Sequence, residues 1–242
     1  MTIIEGIKEI SMALTAGVVF EEFYICGEAI GQNKDLKGLI KKIESLKKPI
    51  YDVSEQIYAK ITYGDRDEGL LAVAHTPRLS LADLKRVGLS LIVVVTQVEK
   101  PGNLGAILRT CDAVGVDGVI VCDPKTDIYN PNVIRSSLGA IFGLKVAQAT
   151  SEDAYKFLKS NDLKVYATTP QAKESYAASD FRRPVAVVVG AEKEGLNDFW
   201  LQKGDQKIYI PMKGRIDSLN VSVSTAVVLY EVLRQREFVI PA

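Results

Sequence analysis

Residues 210–224 read IPMKGRIDSLNVSVS, which joins the end of an apolar strand to the start of a helix through a short polar loop. The first helical turns carry Ser and Asn, where intrinsic propensity favours Leu, Glu and Lys. Small polar side chains at a helix start can cap free N–H groups, can bind a ligand, and let another segment approach closely. Because α/β proteins usually place binding sites at such strand–loop–helix junctions, we expect the functional site to include this segment.

Strand-like and helix-like patterns alternate through the rest of the C-terminal part. The predicted elements are strand 91–96, helix 103–114, strand 118–122, helix 131–141, a strand near 144–147, helix 151–160, strands 163–168, 185–189 and 207–210, and helix 219–236. Short β-branched apolar runs are typical of buried parallel strands, and their alternation with helices predicts a doubly wound parallel sheet. We assign this C-terminal α/β domain to residues 91–242.

The first part of the chain predicts a smaller α/β domain over residues 1–76. Its predicted elements are helix 5–16, strand 20–26, helix 34–48, strand 49–53, a helix capped by Ser54, and strand 70–74. Residues 77–90 begin with a proline and have mixed polarity, which is typical of a linker with a short helix. A chain of 242 residues is long enough for two domains of ordinary size.

Composition narrows the classes of function. Lys plus Arg and Asp plus Glu number 30 each, so a globally basic surface is absent and any nucleic-acid site must be a local patch. Cys26, Cys111 and Cys122 have neither zinc-type nor disulfide-type spacing, and the acidic residues form no metal-type cluster. Without a signal peptide or a transmembrane run in the sequence, we expect a cytoplasmic protein that uses neither a membrane nor a metal.

The loop after strand 91–96 contains Pro101, Gly102 and Asn103, and Arg109 follows six residues after Asn103. Pro101 and Gly102 favour a turn, Asn103 can cap the helix, and we expect Arg109 near the same helix face as Asn103. Such an Arg suits a phosphate or a carboxylate, although an ordinary cap with a surface ion pair has the same pattern. The glycine fingerprints for dinucleotides and nucleoside triphosphates are absent, which disfavours a dehydrogenase and a P-loop enzyme.

A second loop follows the predicted strand at 185–189. Gly190 permits close approach of the backbone, and Glu192 can accept hydrogen bonds. Together with the two loops above, it predicts one crevice at the carboxyl edge of the sheet. The single histidine, His75, gives little support for a Ser-His-Asp triad.

The three loops together resemble the SpoU/TrmH family of RNA ribose 2′-O-methyltransferases in the SPOUT superfamily. The resembling segments are residues 101–105 with Arg109, then 135–140, 189–195, 210–212 and 218–223. Residues 1–76 resemble, less closely, the ribosomal-protein-like RNA-binding domain that often precedes this catalytic domain. Members of the family usually carry a further segment before the position of Glu5 and Gly6, so we do not expect RNA contacts from such an arm here.

This resemblance implies a knotted fold and a particular cofactor. The C-terminal domain is expected to form a deep trefoil knot, whose loops hold S-adenosylmethionine in a bent shape. The residues implied to contact the cofactor are Thr168, Gly190, Ile210, Met212 and Leu219. The apolar side chains among them suit an adenine slot.

The resemblance also implies that Arg109 is catalytic. Because Arg is effectively always protonated, we expect Arg109 to bind the adjacent RNA phosphate and stabilise the developing alkoxide, instead of acting as a base. Asn103, Glu192, Ser218 and Asn220 are then expected to orient Arg109 and the ribose.

Members of the family are homodimers with an RNA site across both subunits, so the resemblance implies a homodimer and an RNA partner. The expected RNA contacts are Lys37, Lys41, Lys42 and Arg135. The three lysines lie on one amphipathic helix, and a solvated face explains them equally simply. Candidates for the dimer interface, for which core packing is equally compatible, are Val227, Val228, Tyr230 and Leu233.

We therefore expect an S-adenosylmethionine-dependent RNA 2′-O-methyltransferase. The first domain favours 23S-type ribosomal RNA, while transfer RNA stays open because members without that domain include transfer-RNA enzymes. A methyltransferase that confers antibiotic resistance has the same features. A non-catalytic RNA-binding or ribosome-assembly factor is a second class. The presence of the complete expected catalytic set argues against it, namely Asn103, Arg109, Glu192, Ser218 and Asn220.

Overall fold

The computed structural model describes residues 1–30, 34–63, 68–84, 91–191 and 194–237. Within these residues the chain forms a four-stranded sheet in its N-terminal part and a seven-stranded sheet in its C-terminal part. We call the N-terminal part the smaller unit and the C-terminal part the larger unit. No helix of this described part is both long enough and apolar enough to cross a membrane.

The smaller unit has a mixed sheet with helices on both faces. Its strands are β1 (Thr2–Glu5), β2 (Phe20–Ile25), β3 (Ile50–Asp52) and β4 (Leu70–Ala74), in the order β1-β4-β2-β3, and only β2 and β3 are parallel. Its helices are α1 (Ile7–Thr15), α2 (Gly27–Ile30), α3 (Lys34–Ser45) and α4 (Glu55–Ile61). Apolar residues of α1 and α3 pack on one face, and Tyr58 of α4 packs on the other. Ser54 occupies the N-cap position of α4, as predicted, but its side chain makes no capping hydrogen bond.

The larger unit has a fully parallel sheet, as predicted. Its strands are β5 (Leu91–Thr96), β6 (Gly118–Cys122), β7 (Val146–Ala149), β8 (Lys164–Thr168), β9 (Glu174–Ser175), β10 (Val185–Val189) and β11 (Gln206–Tyr209), in the order β7-β6-β5-β10-β8-β11-β9. Its helices are α5 (Pro101–Val114), α6 (Pro131–Ser136), α7 (Ala140–Gly143), α8 (Ser151–Ser160), α9 (Asp198–Lys203) and α10 (Val221–Glu237).

Alternating strand residues build a core on each face of this sheet, because successive side chains of a strand point to opposite faces. Val93 and Val95 of β5 belong to the apolar cluster that includes α5 and α10. Ile92 and Val94 belong to a second cluster that includes α8 and α9. Helices therefore cover both faces, which confirms the predicted α/β fold with a doubly wound parallel sheet.

The helix predicted at 131–141 is instead two short helices. Helix α6 ends at Ser136, and Leu138 and Gly139 adopt left-handed backbone with φ of 53° and 79° before α7 begins. A left-handed residue cannot continue an α-helix, and hydrophobic periodicity does not reveal such a break. The prediction of one continuous helix is wrong for this reason.

The segment predicted as a linker packs against the larger sheet where the structure describes it. Leu79 forms a parallel bridge with Ala147 of β7, and residues 81–84 form a 3₁₀ turn. Leu84 is fully buried in the cluster on that face. Residues 77–84 thus run along the larger unit, and residues 85–90 lie outside the described residues.

Candidate functional site

A cavity of about 600 Å³ lies at the carboxyl edge of the larger sheet. It is lined by the segments that follow β8, β10 and β11, together with the first turns of α10. These three strands are neighbours in the sheet, and parallel strands end at the same edge, so their loops meet there. The size lies within the range of small-molecule and cofactor sites.

All five residues that we expected to contact a cofactor line this cavity. They are Thr168, Gly190, Ile210, Met212 and Leu219. The hydroxyl of Thr168 donates a hydrogen bond of 2.7 Å to the carbonyl oxygen of Val188. It can therefore still accept a hydrogen bond from a ligand but cannot donate one. The structure therefore brings the expected cofactor residues together from three separate loops.

Gly190 begins a loop that folds back tightly on itself. Ala191 and Gly195 exchange two backbone hydrogen bonds of 3.0 Å, and a Cβ at Gly190 would overlap the carbonyl group of Gly195. Only glycine fits here, whether or not a ligand is bound. Glu192, which we expected to orient the substrate, lies outside the described residues.

Asn220 links the cavity loop to helix α5. Its Nδ2 donates a hydrogen bond of 3.2 Å to Oδ1 of Asn103, and its Oδ1 accepts from the N–H of Ser222 at 2.9 Å and from the Ser222 hydroxyl at 2.7 Å. The contact with the N–H of Ser222 is that of an N-cap residue, because it satisfies a free N–H in the first turn of α10. Asn103 is not the cap of α5, since that helix begins at Pro101 with Lys100 in the capping position.

Arg109 does not line the cavity of its own chain. It is exposed on α5. Within the described part of the chain its guanidinium makes neither an ion pair nor a hydrogen bond. In an unbroken helix, six residues turn Arg109 roughly 120° away from Asn103, so the predicted shared face is wrong.

Ser218, unlike Arg109, lines the cavity. It is exposed at the cavity edge, and its hydroxyl donates to Oδ1 of Asp217 at 3.4 Å.

A family of known proteins matches the part of the chain that forms this cavity. The family described as the SpoU rRNA methylase family matches residues 90–230. The chain belongs to the SpoU rRNA methylase family. Residues 1–72 match the family described as the MRM3-like substrate binding domain.

The relatives of this SpoU-family chain match it across both units. The 23S rRNA (guanosine-2′-O-)-methyltransferase RlmB of Bordetella pertussis is 34% identical over 222 residues, which is 90% of each chain. The crystal structure of an RNA 2′-O ribose methyltransferase has a TM-score of 0.83 and 39% identity, over 96% of this chain and 88% of that one. An AdoMet-bound rRNA methyltransferase from Sinorhizobium meliloti has a TM-score of 0.85 and 26% identity, over 96% and 87%.

Several residues that line the cavity of this SpoU-family chain were not predicted from the sequence. Residues 169–171 follow β8, which also ends at the carboxyl edge, so the predicted strand order contained a signal for them. Glu194, Asp198 and Asp217 add three carboxylates to the lining. No local motif distinguishes these three from ordinary exposed acidic residues, so only the folded chain identifies them.

The residues expected to contact RNA lie in two different surroundings. Lys41 and Lys42 are exposed on α3, and the side chain of Lys37 lies outside the described part. Arg135 is half-buried on α6, and its Nη1 donates a hydrogen bond of 3.1 Å to the carbonyl oxygen of Tyr63 in the smaller unit. The lysines and Arg135 thus belong to different units of the structure.

Helix α10 has both a core face and an exposed apolar face. Val228 is fully buried in the core, so it is not available for a dimer interface. Val223 and Tyr230 are 47% and 50% exposed, and Val227 and Leu233 are partly exposed. Among the four residues considered for an interface, Tyr230 is therefore the clearest candidate.

The cysteines and the histidine are poorly placed for catalysis in this SpoU-family chain. Burial raises the pKa of the Cys122 thiol to about 12 and also raises the pKa of Cys111, so neither is a thiolate at neutral pH. His75 is exposed in the smaller unit and pairs with Glu21. Across the described residues, no group of three or more His, Cys, Asp or Glu is arranged to hold a metal ion.

Proposed function

We propose that this SpoU-family chain methylates a ribose 2′-hydroxyl of 23S-type ribosomal RNA and uses S-adenosylmethionine as the methyl donor. The observation that carries the proposal is the cavity at the carboxyl edge, which is assembled from the segments after β8, β10 and β11, two of which resemble the family. A full-length relative is named as a 23S rRNA methyltransferase, and a related rRNA methyltransferase was crystallised with AdoMet.

The cavity fits S-adenosylmethionine in size and in chemistry. Ile210, Met212 and Leu219 offer apolar walls to an adenine ring, and the loop ends offer backbone hydrogen-bonding groups. Thr168 and Gly190 would complete the contacts around the nucleoside. When bound, S-adenosylmethionine supplies a methyl group on a positively charged sulfur, where it is already activated for transfer.

The acidic residues of the cavity match the charge of this cofactor. Its sulfonium and amino groups are cationic, and Glu194, Asp198 and Asp217 place carboxylates in the lining. All three residues are also exposed to solvent, which screens part of this attraction. We infer that these carboxylates contribute to cofactor affinity.

The substrate oxygen requires help because a ribose hydroxyl is a poor nucleophile before it loses its proton. In our proposal, Arg109 binds the neighbouring RNA phosphate and stabilises the oxyanion that develops on the 2′-oxygen. Ser218 at the cavity edge orients the ribose, and Asn103 and Asn220 hold the loop against α5. Glu192 keeps the orienting role expected from the sequence.

The position of Arg109 supports a homodimer. It is exposed on α5 and does not line its own cavity, while α10 packs against α5 and exposes Val223 and Tyr230. We propose that these apolar residues pack against a second copy and that Arg109 completes the site of that copy. Each site is then built from two chains.

The trefoil knot is also a proposal. Small residues along α10, including the buried Thr225, leave room for a closely threaded segment, and α10 packs against both α5 and β10. Tracing the chain in a crystal structure tests this topology.

We keep residues 1–76 as an RNA-binding domain, 77–90 as a linker and 91–242 as the catalytic domain. We also propose that the protein acts in the cytoplasm.

The smaller unit favours ribosomal over transfer RNA. The relative that acts on 23S rRNA matches this chain across both units, and residues 1–72 match a substrate-binding family. The exposed Lys41 and Lys42, together with Lys37, are the proposed phosphate contacts of this unit. We assign Arg135 no direct RNA contact in this proposal, because its Nη1 already donates to the carbonyl oxygen of Tyr63.

Calorimetric titration of the full chain with S-adenosylmethionine tests the proposed cofactor, with NADH as the control ligand. We expect binding of one S-adenosylmethionine per chain and no heat from NADH. Absence of S-adenosylmethionine binding would contradict the proposal. Binding without methyl transfer to any RNA would favour the non-catalytic alternative.

A further inference from the structure

Tyr63 of the smaller unit is tied to the larger unit by hydrogen bonds. Its hydroxyl accepts from Nδ2 of Asn132 at 3.0 Å, and its carbonyl oxygen accepts from Nη1 of Arg135 at 3.1 Å. Its N–H donates to Oε2 of Glu5 at 2.9 Å, within the smaller unit. Helix α6 therefore holds both the side chain and the backbone of one residue across the junction.

A second contact between the units depends on the break between α6 and α7. Gly139 has a φ of 79°, and a Cβ there would lie 2.9 Å from Cβ of Met12 and 3.0 Å from Cα of Glu9. The backbone of the larger unit thus lies directly against α1. No L-residue side chain fits at this position without displacing α1.

The surroundings of these contacts are apolar and buried. Ile4 and Ile10 of the smaller unit belong to the same continuous cluster as Val133 and Ile141 of the larger unit. At its edge, the hydroxyl of Thr2 donates to the carbonyl oxygen of Tyr129 at 2.8 Å. Interfaces between domains are more commonly small and polar and permit relative motion, whereas a buried apolar interface with directional hydrogen bonds resists it.

The junction is mechanically connected to the proposed catalytic helix. Helix α6 packs so closely on α5 that a Cβ at Gly105 would overlap the side chain of Ser136. Helix α5 carries Asn103 and Arg109. The position of the smaller unit is therefore fixed relative to these residues through two helices in direct contact.

The superposition with a related enzyme agrees with a fixed arrangement. The RNA 2′-O ribose methyltransferase with 39% identity superposes over 96% of this chain with a TM-score of 0.83. Such coverage includes both sheets in one fit, so the two units have a similar arrangement in the two chains.

We propose that Asn132, Arg135 and Gly139 hold the smaller unit in one position and orientation on the catalytic unit, which we call its register. The smaller unit then sets a fixed distance between its RNA contact and the methylated ribose. The inference rests on the proposed function and deepens it. Arg135 is then a positioning residue that acts through Tyr63. Substrate selection depends on this distance as well as on contacts at the cavity.

A measurement of distance between spin labels tests the register directly. Glu44→Cys on α3 and Lys156→Cys on α8 are exposed labelling sites in the two units, and the native cysteines are buried. Labelled chain is mixed with excess unlabelled chain so that distances within one chain dominate. The variants are Tyr63→Phe, Arg135→Lys and the double variant Asn132→Ala/Arg135→Ala.

The matched control is Asn161→Ala/Arg182→Ala, which removes an Asn and an Arg that make hydrogen bonds within the larger unit. We expect one narrow distance in the parent and the control, and a broad distribution in Asn132→Ala/Arg135→Ala. That variant should raise the KM for RNA about tenfold and change kcat less than about twofold, because ordering of the substrate is lost and the chemistry is kept. Tyr63→Phe and Arg135→Lys should fall between the parent and the double variant.

A broad distribution in the parent would overturn the proposal, because the smaller unit would then be a flexible arm. A narrow distribution and a parental KM in Asn132→Ala/Arg135→Ala would also overturn it. If the parent transfers no methyl group, the proposed function fails, and the label distances still decide whether the register is fixed.

Discussion

Nδ2 of Asn220 donates a hydrogen bond of 3.2 Å to Oδ1 of Asn103, and this bond joins the loop that lines the cavity to the helix that carries Arg109. The same Asn220 side chain also caps α10. One amide thus connects three parts of the proposed site: the cofactor loop, the catalytic helix and the helix with the exposed apolar face. Its effect on function is positional, since neither Asn lines the cavity.

Asn220→Ala should destabilise the protein by about 2 kcal/mol, because it removes an N-cap and the bond to Asn103, each worth about 1 kcal/mol. Asn103→Ala removes the same bond from its other side. Denaturant unfolding of both single variants and the double variant measures the coupling. We expect a coupling of about 1 kcal/mol. Additive effects would show that the two side chains do not interact in solution.

Gly190→Ala should weaken S-adenosylmethionine binding and destabilise the fold by about 1–3 kcal/mol, because the new Cβ overlaps the Gly195 carbonyl. Gly214→Ala is the matched control, since that glycine is exposed and its added Cβ would meet no atom within 4 Å. Calorimetric titration and thermal unfolding report the two effects. Parental cofactor affinity in Gly190→Ala would contradict the described fold of this loop.

Arg109→Ala should lower turnover by about 100-fold or more, which is the usual cost of losing one group that stabilises an oxyanion. Arg109→Lys keeps the charge but loses the planar pair of donors, so we expect it to stay well below parental turnover. Cofactor affinity should be unchanged in both, because we propose that Arg109 contacts the RNA phosphate and the reacting oxygen and does not contact the cofactor. Near-normal turnover in Arg109→Lys would exclude a bidentate role.

Mixed dimers test whether Arg109 completes the site of a second copy. Arg109→Ala chains keep an intact cavity, and Gly190→Ala chains keep an intact Arg109. Each variant alone should be nearly inactive, while a mixture that exchanges subunits should regain activity. Tyr230→Glu, which places a charge on the exposed face of α10, should prevent both dimer formation and this recovery. Sedimentation and methyl-transfer assays measure the two outcomes, and no recovery in a proven mixed dimer would mean that each chain uses its own Arg109.

Lys41→Glu/Lys42→Glu should weaken RNA binding and reduce the dependence of binding on salt, because phosphate contacts release counterions. The matched control reverses two exposed lysines of the larger unit, Lys156→Glu/Lys203→Glu. Cofactor affinity should be unchanged in both variants. If the α3 variant binds RNA like the control, the lysine-rich side of α3 is only a solvated surface.

The local sequence pattern was sufficient to predict those elements whose structure depends only on neighbouring residues. The buried strands at 91–96 and 185–189 were predicted with correct bounds, because continuous β-branched runs have few alternatives. The cavity loops after β10 and β11 were predicted from their position after such strands and from the family resemblance, whereas the loop after β5, expected in the same crevice, does not line it. Contacts between distant segments were beyond the same reasoning, because hydrophobic spacing says nothing about which polar side chains meet.

Three particular residues show where that limit lies. Asn103 was expected to cap α5, but its partner is Asn220, 117 residues away. Arg135 was expected to contact RNA, but its guanidinium meets a carbonyl group of the smaller unit. Leu138 adopts a left-handed backbone that hydrophobic periodicity did not indicate, and this break positions Gly139 against α1.

Methyl transfer from labelled S-adenosylmethionine to total RNA from a strain that lacks this protein tests the central claim most directly. The RNA is separated by size and digested, and the label is scored in 2′-O-methyl nucleosides. We predict that label appears in 23S-type ribosomal RNA as a single 2′-O-methyl nucleoside and is absent when the Arg109→Ala variant is used. Label in transfer RNA would contradict the proposed substrate, and no label in any RNA fraction or assembled ribosomal particle, with cofactor binding intact, would contradict the proposed catalysis.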